Sequence, residues 1–264
     1  KMILDNGIRI YNYGDKNNKS LVFVHGFIYD ILMWEKQIEY FSESYYCTGY
    51  DVRGLGKSEV GDGQYTMELF VEDLMNVIRC SEIEKPVLIG LSMGGYISFR
   101  ALEKHSDMFS AAILLDTRAS ADSNEAKLKR ANSIKTINEN GLKEFVDGFI
   151  PTCFSDRFKS ENRVEYEDFV NRAKKSNPVG AKGCQLAMVS RGDSEYFLPQ
   201  MSIPVLFLCG EEDKLTPVEE MTELARKTNG SKLVVVPNSG HMTPIENPDF
   251  VNKQIQDFLS EIGY

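Results

Sequence analysis

Gly90-Leu91-Ser92-Met93-Gly94-Gly95 stands between the apolar run Pro86-Val87-Leu88-Ile89 and the stretch from Tyr96 to His105. The run reads as a buried strand and the stretch as a helix. A serine between two glycines at that junction fits G-x-S-x-G, the pattern of a nucleophile elbow. The turn is too sharp for side chains at the flanking positions, so Gly90 and Gly94 relieve crowding and Gly95 lets the helix pack close. The serine hydroxyl is then pushed out at the top of a sheet, with the backbone N–H of Met93 facing the same space. A serine hydroxyl is a weak nucleophile in its ground state, so the pattern means chemistry only when a base and an acid accompany it.

The chain has three histidines, which shortens the search for the base. His241 lies in Pro237-Asn238-Ser239-Gly240-His241-Met242, just after the last predicted strand, where a loop places an imidazole above the sheet. His25 sits inside the His25-Gly26-Phe27 turn. His105 ends the elbow helix and reads as a solvent-exposed residue near a helix C-terminus. For the acid, Asp213 follows Cys209-Gly210-Glu211-Glu212 at the end of the preceding strand, and Thr216-Pro217 then starts a helix. Glu211 and Glu212 are local rivals, and Asp116 is a positional one. The order Ser92, Asp213, His241 is nucleophile, acid, base. An oxyanion hole needs two N–H donors. Met93 offers one, and Phe27, in the turn after the strand Ser20 to His25, offers the other. Losing such a donor costs about 2.7–4 kcal/mol of transition-state stabilisation.

Outward from this centre the chain alternates strand and helix. Strands are predicted over Ile8–Tyr13, Ser20–His25, Tyr45–Tyr50, Ala111–Leu115, Val205–Cys209 and Lys232–Val236. Helices are predicted over Met33–Phe41, Thr66–Cys80 with Thr66 as N-cap, Pro217–Lys227 and Pro248–Ile262. Strands separated by helices imply an α/β fold with a mostly parallel central sheet and helices on both faces. Sites in such sheets lie beyond the carboxyl ends of the strands. The rhythm breaks between Asp116 and about Ser202, where no buried strand is evident and three to five short helices are expected. Residues 117–202 are therefore read as a helical cap on a core made of 1–116 and 203–264. From Thr117 to Gln200 there are 14 basic and 12 acidic residues, against 16 and 27 in the remainder, which marks the segment as a distinct element.

Composition bounds the function. The 264 residues carry a formal charge of −9 with no basic cluster, which argues against nucleic-acid binding. Apolar runs such as Leu21–Val24 are too short to span a bilayer, and the opening Lys1 to Gly7 has no signal-peptide apolar region. The five cysteines, Cys47, Cys80, Cys153, Cys184 and Cys209, occur singly and in odd number, so free thiols in the cytoplasm are expected over a Cys153–Cys184 bridge. No zinc-ligand spacing and no phosphate-binding glycine loop is present, so neither metal nor organic cofactor is implied.

The chain resembles α/β-hydrolase-fold serine hydrolases of the capped, carboxylesterase and 3-oxoadipate enol-lactonase-like kind. The shared features are His25-Gly26-Phe27 followed by Trp34, Asp51-x-Arg53-Gly54-x-Gly56-x-Ser58, the Ser92 elbow, Gly210-x-x-Asp213, and Gly240-His241 followed by Glu246-x-Pro248. They span nearly all of the chain outside the cap. Asp116-Thr117-Arg118-Ala119, with Asp122 and Glu125 further on, also resembles a segment of some esterases and enol-lactonases. The resemblance implies hydrolysis of a small carboxylic ester or lactone, with Asp51 to Ser58 in a structural role. Dehalogenases of this fold need an aspartate where Ser92 stands. A substrate pocket is expected between cap and elbow, lined by Phe27, Met93 and Met242, with Phe145, Phe149 and Phe154 as a roof or as cap core. The cap's basic balance is compatible with an anionic acyl group and equally with a neutral ester. Two other functions fit the same residues: a slowly cycling ligand receptor, and hydrolysis of a carbon–carbon bond.

Overall fold

The computed structural model describes residues 2–264; Lys1, with which the predicted core begins, lies outside them. Eight strands form one sheet: β1 (Met2–Ile3), β2 (Arg9–Tyr13), β3 (Ser20–Val24), β4 (Tyr46–Tyr50), β5 (Val87–Leu91), β6 (Ala111–Leu115), β7 (Val205–Gly210) and β8 (Lys232–Val236). Their order across the sheet is β1-β2-β4-β3-β5-β6-β7-β8. The first two strands run antiparallel, and from β4 to β8 all neighbours are parallel. Every residue of β3 to β7 is buried, so the sheet is covered on both faces, as a parallel sheet with helical crossovers must be. The α/β reading and the mostly parallel sheet are borne out. β1, only two residues long, has no counterpart in the sequence reading.

Helices α1 (Glu35–Phe41), α2 (Met67–Cys80) and α3 (Met93–His105) fill the N-terminal crossovers. A 3₁₀ turn, Ile31–Trp34, leads into α1, and the Asp30 side chain caps it by accepting from the Leu32 N–H. It buries the Trp34 ring 5.5 Å from that of Phe23. In α2, Thr66 caps the N-terminus by accepting from the Leu69 N–H, and Phe70, Leu74, Val77 and Ile78 form one buried stripe.

Between β6 and β7 the described chain has no strand. It folds as α4 (Asn124–Glu139), α5 (Leu142–Phe149), α6 (Asp156–Glu161), α7 (Arg163–Ala173) and α8 (Pro178–Ser190), with two 3₁₀ turns. Its own apolar centre is aromatic: Phe154 packs 5.3 Å from Phe158, 5.4 Å from Tyr166 and 5.9 Å from Phe169. After β7 come α9 (Val218–Lys227), the short α10 (Thr243–Glu246) and α11 (Pro248–Glu261). No helix among the described residues is long and apolar enough to cross a membrane. All five cysteines are free thiols, Cys153 and Cys184 included.

Candidate active site at the carboxyl edge of the sheet

Ser92 is the hinge between β5 and α3, at φ 54° and ψ −115°. That backbone region costs a non-glycine residue on the order of 1–3 kcal/mol and persists only when its surroundings over-determine it. Here they do. The Ser92 N–H donates to the Leu115 carbonyl at 3.0 Å, and the Ser92 carbonyl accepts from the Thr117 hydroxyl at 2.9 Å and the Tyr96 N–H at 3.1 Å. At Gly94 a side chain is impossible, because a Cβ there would stand 2.2 Å from the Val24 carbonyl oxygen. Met93 opens α3, and the first N–H groups of a helix have no intrahelical partner. The Gly26-Phe27 turn lies alongside: a Cβ on Gly26 would be 3.5 Å from the Ser92 Cβ.

Of the three histidines, His25 is committed elsewhere. Its Nδ1–H donates to the Gly26 carbonyl at 2.8 Å, and its Nε2 accepts from the Val52 N–H at 2.8 Å. Full burial pushes its pKa down, against the pull of Asp51, so it is a neutral prop between two loops. His105 ends α3 half-buried, less exposed than the sequence suggests. His241 pairs with Asp213, Nδ1 to Oδ2 at 2.8 Å, with both side chains at most 5% exposed. Asp213 also accepts from the N–H groups of Leu215 and Thr216 at Oδ1 and from the Thr216 hydroxyl at Oδ2. Burial works to raise its pKa, but the neighbouring His241 and the Thr216 hydrogen bonds outweigh burial and hold it below the usual range.

The rival carboxylates are accounted for. Glu211 and Glu212 are exposed, and Glu211 accepts from the Asn238 N–H. Asp116 is fully buried and binds the Gly210 N–H through Oδ1 at 2.8 Å and the Thr243 hydroxyl through Oδ2. Burial, reinforced by the charge of Asp213, pushes its pKa well up. Asp116, Cys209 and Asp213 bring potential metal ligands within 4.8 Å of one another. Each oxygen of the two carboxylates already holds a protein donor, so an ion there would have to displace these bonds. Asp51, in the loop motif after β4, accepts from the Ile31 and Lys57 N–H groups and the Tyr11 hydroxyl, which is loop-building work.

Ser92 and His241 line one cavity of about 380 Å³. Its apolar wall comprises Phe27, Phe145, Phe149 and Met188, the Phe27 ring lying 6.0 and 5.6 Å from those of Phe145 and Phe149. Met93, Phe154 and Met242 are outside that lining: Met93 and Met242 are buried beneath, and Phe154 belongs to the aromatic centre of the insertion. The larger grooves, near 530 and 590 Å³, open on other surfaces and include neither Ser92 nor His241. The cavity's polar wall was not read from the sequence. It carries Tyr96, Arg118, Asp122, Lys129, Arg130 and Lys214. Two arginines share the single carboxylate of Asp122: Arg191 Nη1 lies 2.6 Å from Oδ1, and Arg130 donates to Oδ2. Arg191 also stacks on the Tyr96 ring at 4.1 Å.

Comparison with known proteins sets this geometry in a lineage. Residues 19–248 match the sequence family described as the alpha/beta hydrolase fold. The chain is 25% identical over 259 residues to 3-oxoadipate enol-lactonase 2 of Acinetobacter baylyi, covering 98% of this chain and 95% of that protein. Among solved structures, a thermophilic esterase of Thermogutta terrifontis with malate bound superposes with a TM-score of 0.92 at 33% identity, over 97% of this chain and 93% of the other. The enol-lactonase of Burkholderia xenovorans LB400 shares the fold at 24% identity, with a TM-score of 0.90 over 96% of both chains.

Proposed function

The chain belongs to the alpha/beta hydrolase family, and from that premise we propose that it cleaves a small carboxylic ester or lactone through an acyl-serine intermediate. One observation carries the reading. A buried Asp213–His241 pair and the strained Ser92 turn converge on one cavity, in the chain order nucleophile, acid, base. Ser92 attacks the carbonyl carbon while His241 Nε2 takes its proton. Asp213 fixes the tautomer with Nδ1 protonated and stabilises the imidazolium. The Phe27 and Met93 N–H groups hold the oxyanion. Collapse expels the alcohol, protonated by His241, and leaves acyl-Ser92. Water activated by His241 then releases the acid and restores the serine. In a lactone the leaving alcohol stays tethered to the acyl group.

The helical insertion acts as a cap that roofs the cavity with Phe145 and Phe149. Its polar wall favours a substrate carrying a carboxylate, because Arg118, Lys129, Arg130 and Lys214 line it against the single carboxylate of Asp122. The esterase relative with malate bound and the enol-lactonase relatives support this substrate class. The free cysteine thiols support a cytoplasmic setting. The test is turnover of a carboxylated lactone against an uncharged ester of similar size. Saturable hydrolysis abolished in Ser92→Ala supports the reaction, and a higher kcat/KM for the charged lactone supports the substrate class. Equal rates, or a preference for the neutral ester, would sink the latter.

A further inference from the structure

Three consecutive backbone N–H groups run through the His241 loop, and each has a defined acceptor. The His241 N–H donates to the carbonyl of Cys153, in the insertion, at 3.0 Å. The N–H groups on either side, of Gly240 and Met242, both donate to Glu246 Oε1, at 3.0 and 3.2 Å. The second oxygen of Glu246 returns to the insertion, where Oε2 accepts from the Ser155 N–H at 2.9 Å. Ser155 is the N-cap of α6, its own hydroxyl accepting from the Phe158 N–H.

Glu246 closes the one-turn helix α10 that follows the loop, so its side chain folds back under the residue four positions before it. The approach is close enough to dictate sequence. A Cβ on Gly240 would stand 2.7 Å from the Ser155 nitrogen and 3.1 Å from Glu246 Oε1. The Gly240 carbonyl in turn leaves no room for a side chain on Gly210, where a Cβ would fall 1.9 Å from its oxygen. The glycine before His241 is therefore required by the clamp beside it. Glu246 is an acid in a largely buried setting with no cationic partner in an ion pair among the described residues. Three N–H donors offset the cost of burying that carboxylate and fix where it lies.

We propose that Glu246 is a positioning residue for His241: its carboxylate grips the backbone on both sides of the histidine and ties that loop to the cap through Ser155. The inference rests on His241 being the general base of the proposed hydrolase. Asp213 orients the imidazole ring from its Nδ1 side, while Glu246 and Cys153 fix the backbone from which the ring projects. Cap and base thereby become one unit, and a cap displaced at Cys153–Ser155 would carry the base away from Ser92.

The test uses Glu246→Ala and Glu246→Gln in the full chain. Competent molecules are counted by stoichiometric labelling with a serine-directed fluorophosphonate, and kcat and KM for a p-nitrophenyl ester are expressed per labelled site. Displacing a catalytic group by about 1 Å can cost on the order of 100-fold in rate. Glu246→Ala is therefore expected to lose about 10- to 100-fold in kcat per labelled site, with KM within about threefold and the labelling rate falling in parallel. Glu246→Gln keeps an oxygen for Gly240 and Met242 but sets an amide N–H₂ against the Ser155 N–H, so its kcat should fall between wild type and Glu246→Ala. If Glu246→Ala does not fold, the glutamine variant carries the same comparison. Unchanged kcat per labelled site with only a lowered Tm would overturn the proposal and leave Glu246 a structural prop. A wild-type protein that neither labels nor turns over would instead overturn the serine-hydrolase reading itself.

Discussion

The ends of β6 and β7 each carry a buried aspartate, and the two carboxylates are near neighbours with opposite fates. Asp116, at the end of β6, is fully buried with one amide and one hydroxyl for company. Asp213, beyond β7, is almost as buried, yet it has two amides, a hydroxyl and an imidazole. Burial raises both, but only Asp213 has an imidazole and enough donors to reverse the effect. Depth does not make a buried carboxylate a charge-stabilising group; the supply of donors and a titratable partner does. In the sequence both follow strands at the same edge of the sheet, and only the turn before Asp213 and the helix start after it favour Asp213.

The difference can be broken by substitution. Asp213→Asn should place an amide against His241 and favour the wrong tautomer, lowering kcat by about 10⁴-fold. Asp116→Asn replaces the carboxyl with an amide of the same shape that can still accept from the Gly210 N–H. It should change kcat/KM by less than about tenfold, far below the effect of losing a triad member. A loss in Asp116→Asn equal to that in Asp213→Asn, read from steady-state kinetics, would mean that the two carboxylates act as one unit.

Stability against pH sharpens the contrast. Asp213 has a folded-state pKa below its unfolded value, so its contribution is present above about pH 4 and is lost as the pH falls through the folded value. Asp116 is raised, so its contribution is complete below about pH 4 and is lost as the pH rises through the folded value. Thermal melts should then show Asp213→Asn growing worse relative to wild type as the pH rises to about 4. Above that pH, Asp116→Asn should improve relative to wild type. Parallel curves would refute the assignment of opposite pKa shifts.

Smaller effects are expected one bond further out. Thr243→Val strips Asp116 of its hydroxyl partner and should cost about 1–3 kcal/mol of stability in chemical denaturation, with little change in kcat. Thr216→Val removes one of several donors to Asp213, so its effect on kcat should be only a few-fold.

What could be read from the chain divides along the same physical line. Strands of the sheet were legible because burial on both faces writes a continuous apolar run, as in Ala111–Leu115, whose bounds agree with the structure. The start of α3 was misplaced at Tyr96, since Gly94 and Gly95 are poor helix formers. Packing overrides that preference: a Cβ at Gly95 would sit 2.3 Å from the Thr117 hydroxyl. The placement of Ser92, Asp213 and His241 on loops after three strands followed from spacing, and the structure brings the last two into contact. The cavity's charged wall was not legible. Arg130 lies on α4, whose polar sequence looks like a solvated helix. Only the fold brings it to Asp122, to Arg191 and to the side facing Ser92. Glu246 was visible as part of a motif, but its hold on the His241 loop depends on a backward fold of its side chain that no periodicity encodes.

The most direct measurement is mass spectrometry of the protein and of Ser92→Ala after treatment with a serine-directed fluorophosphonate, alongside turnover of short and medium p-nitrophenyl esters. The account predicts one adduct, on Ser92, with saturable turnover in the wild type and neither in the variant. Absence of both labelling and turnover in the wild type, or labelling and turnover that survive in Ser92→Ala, would contradict it.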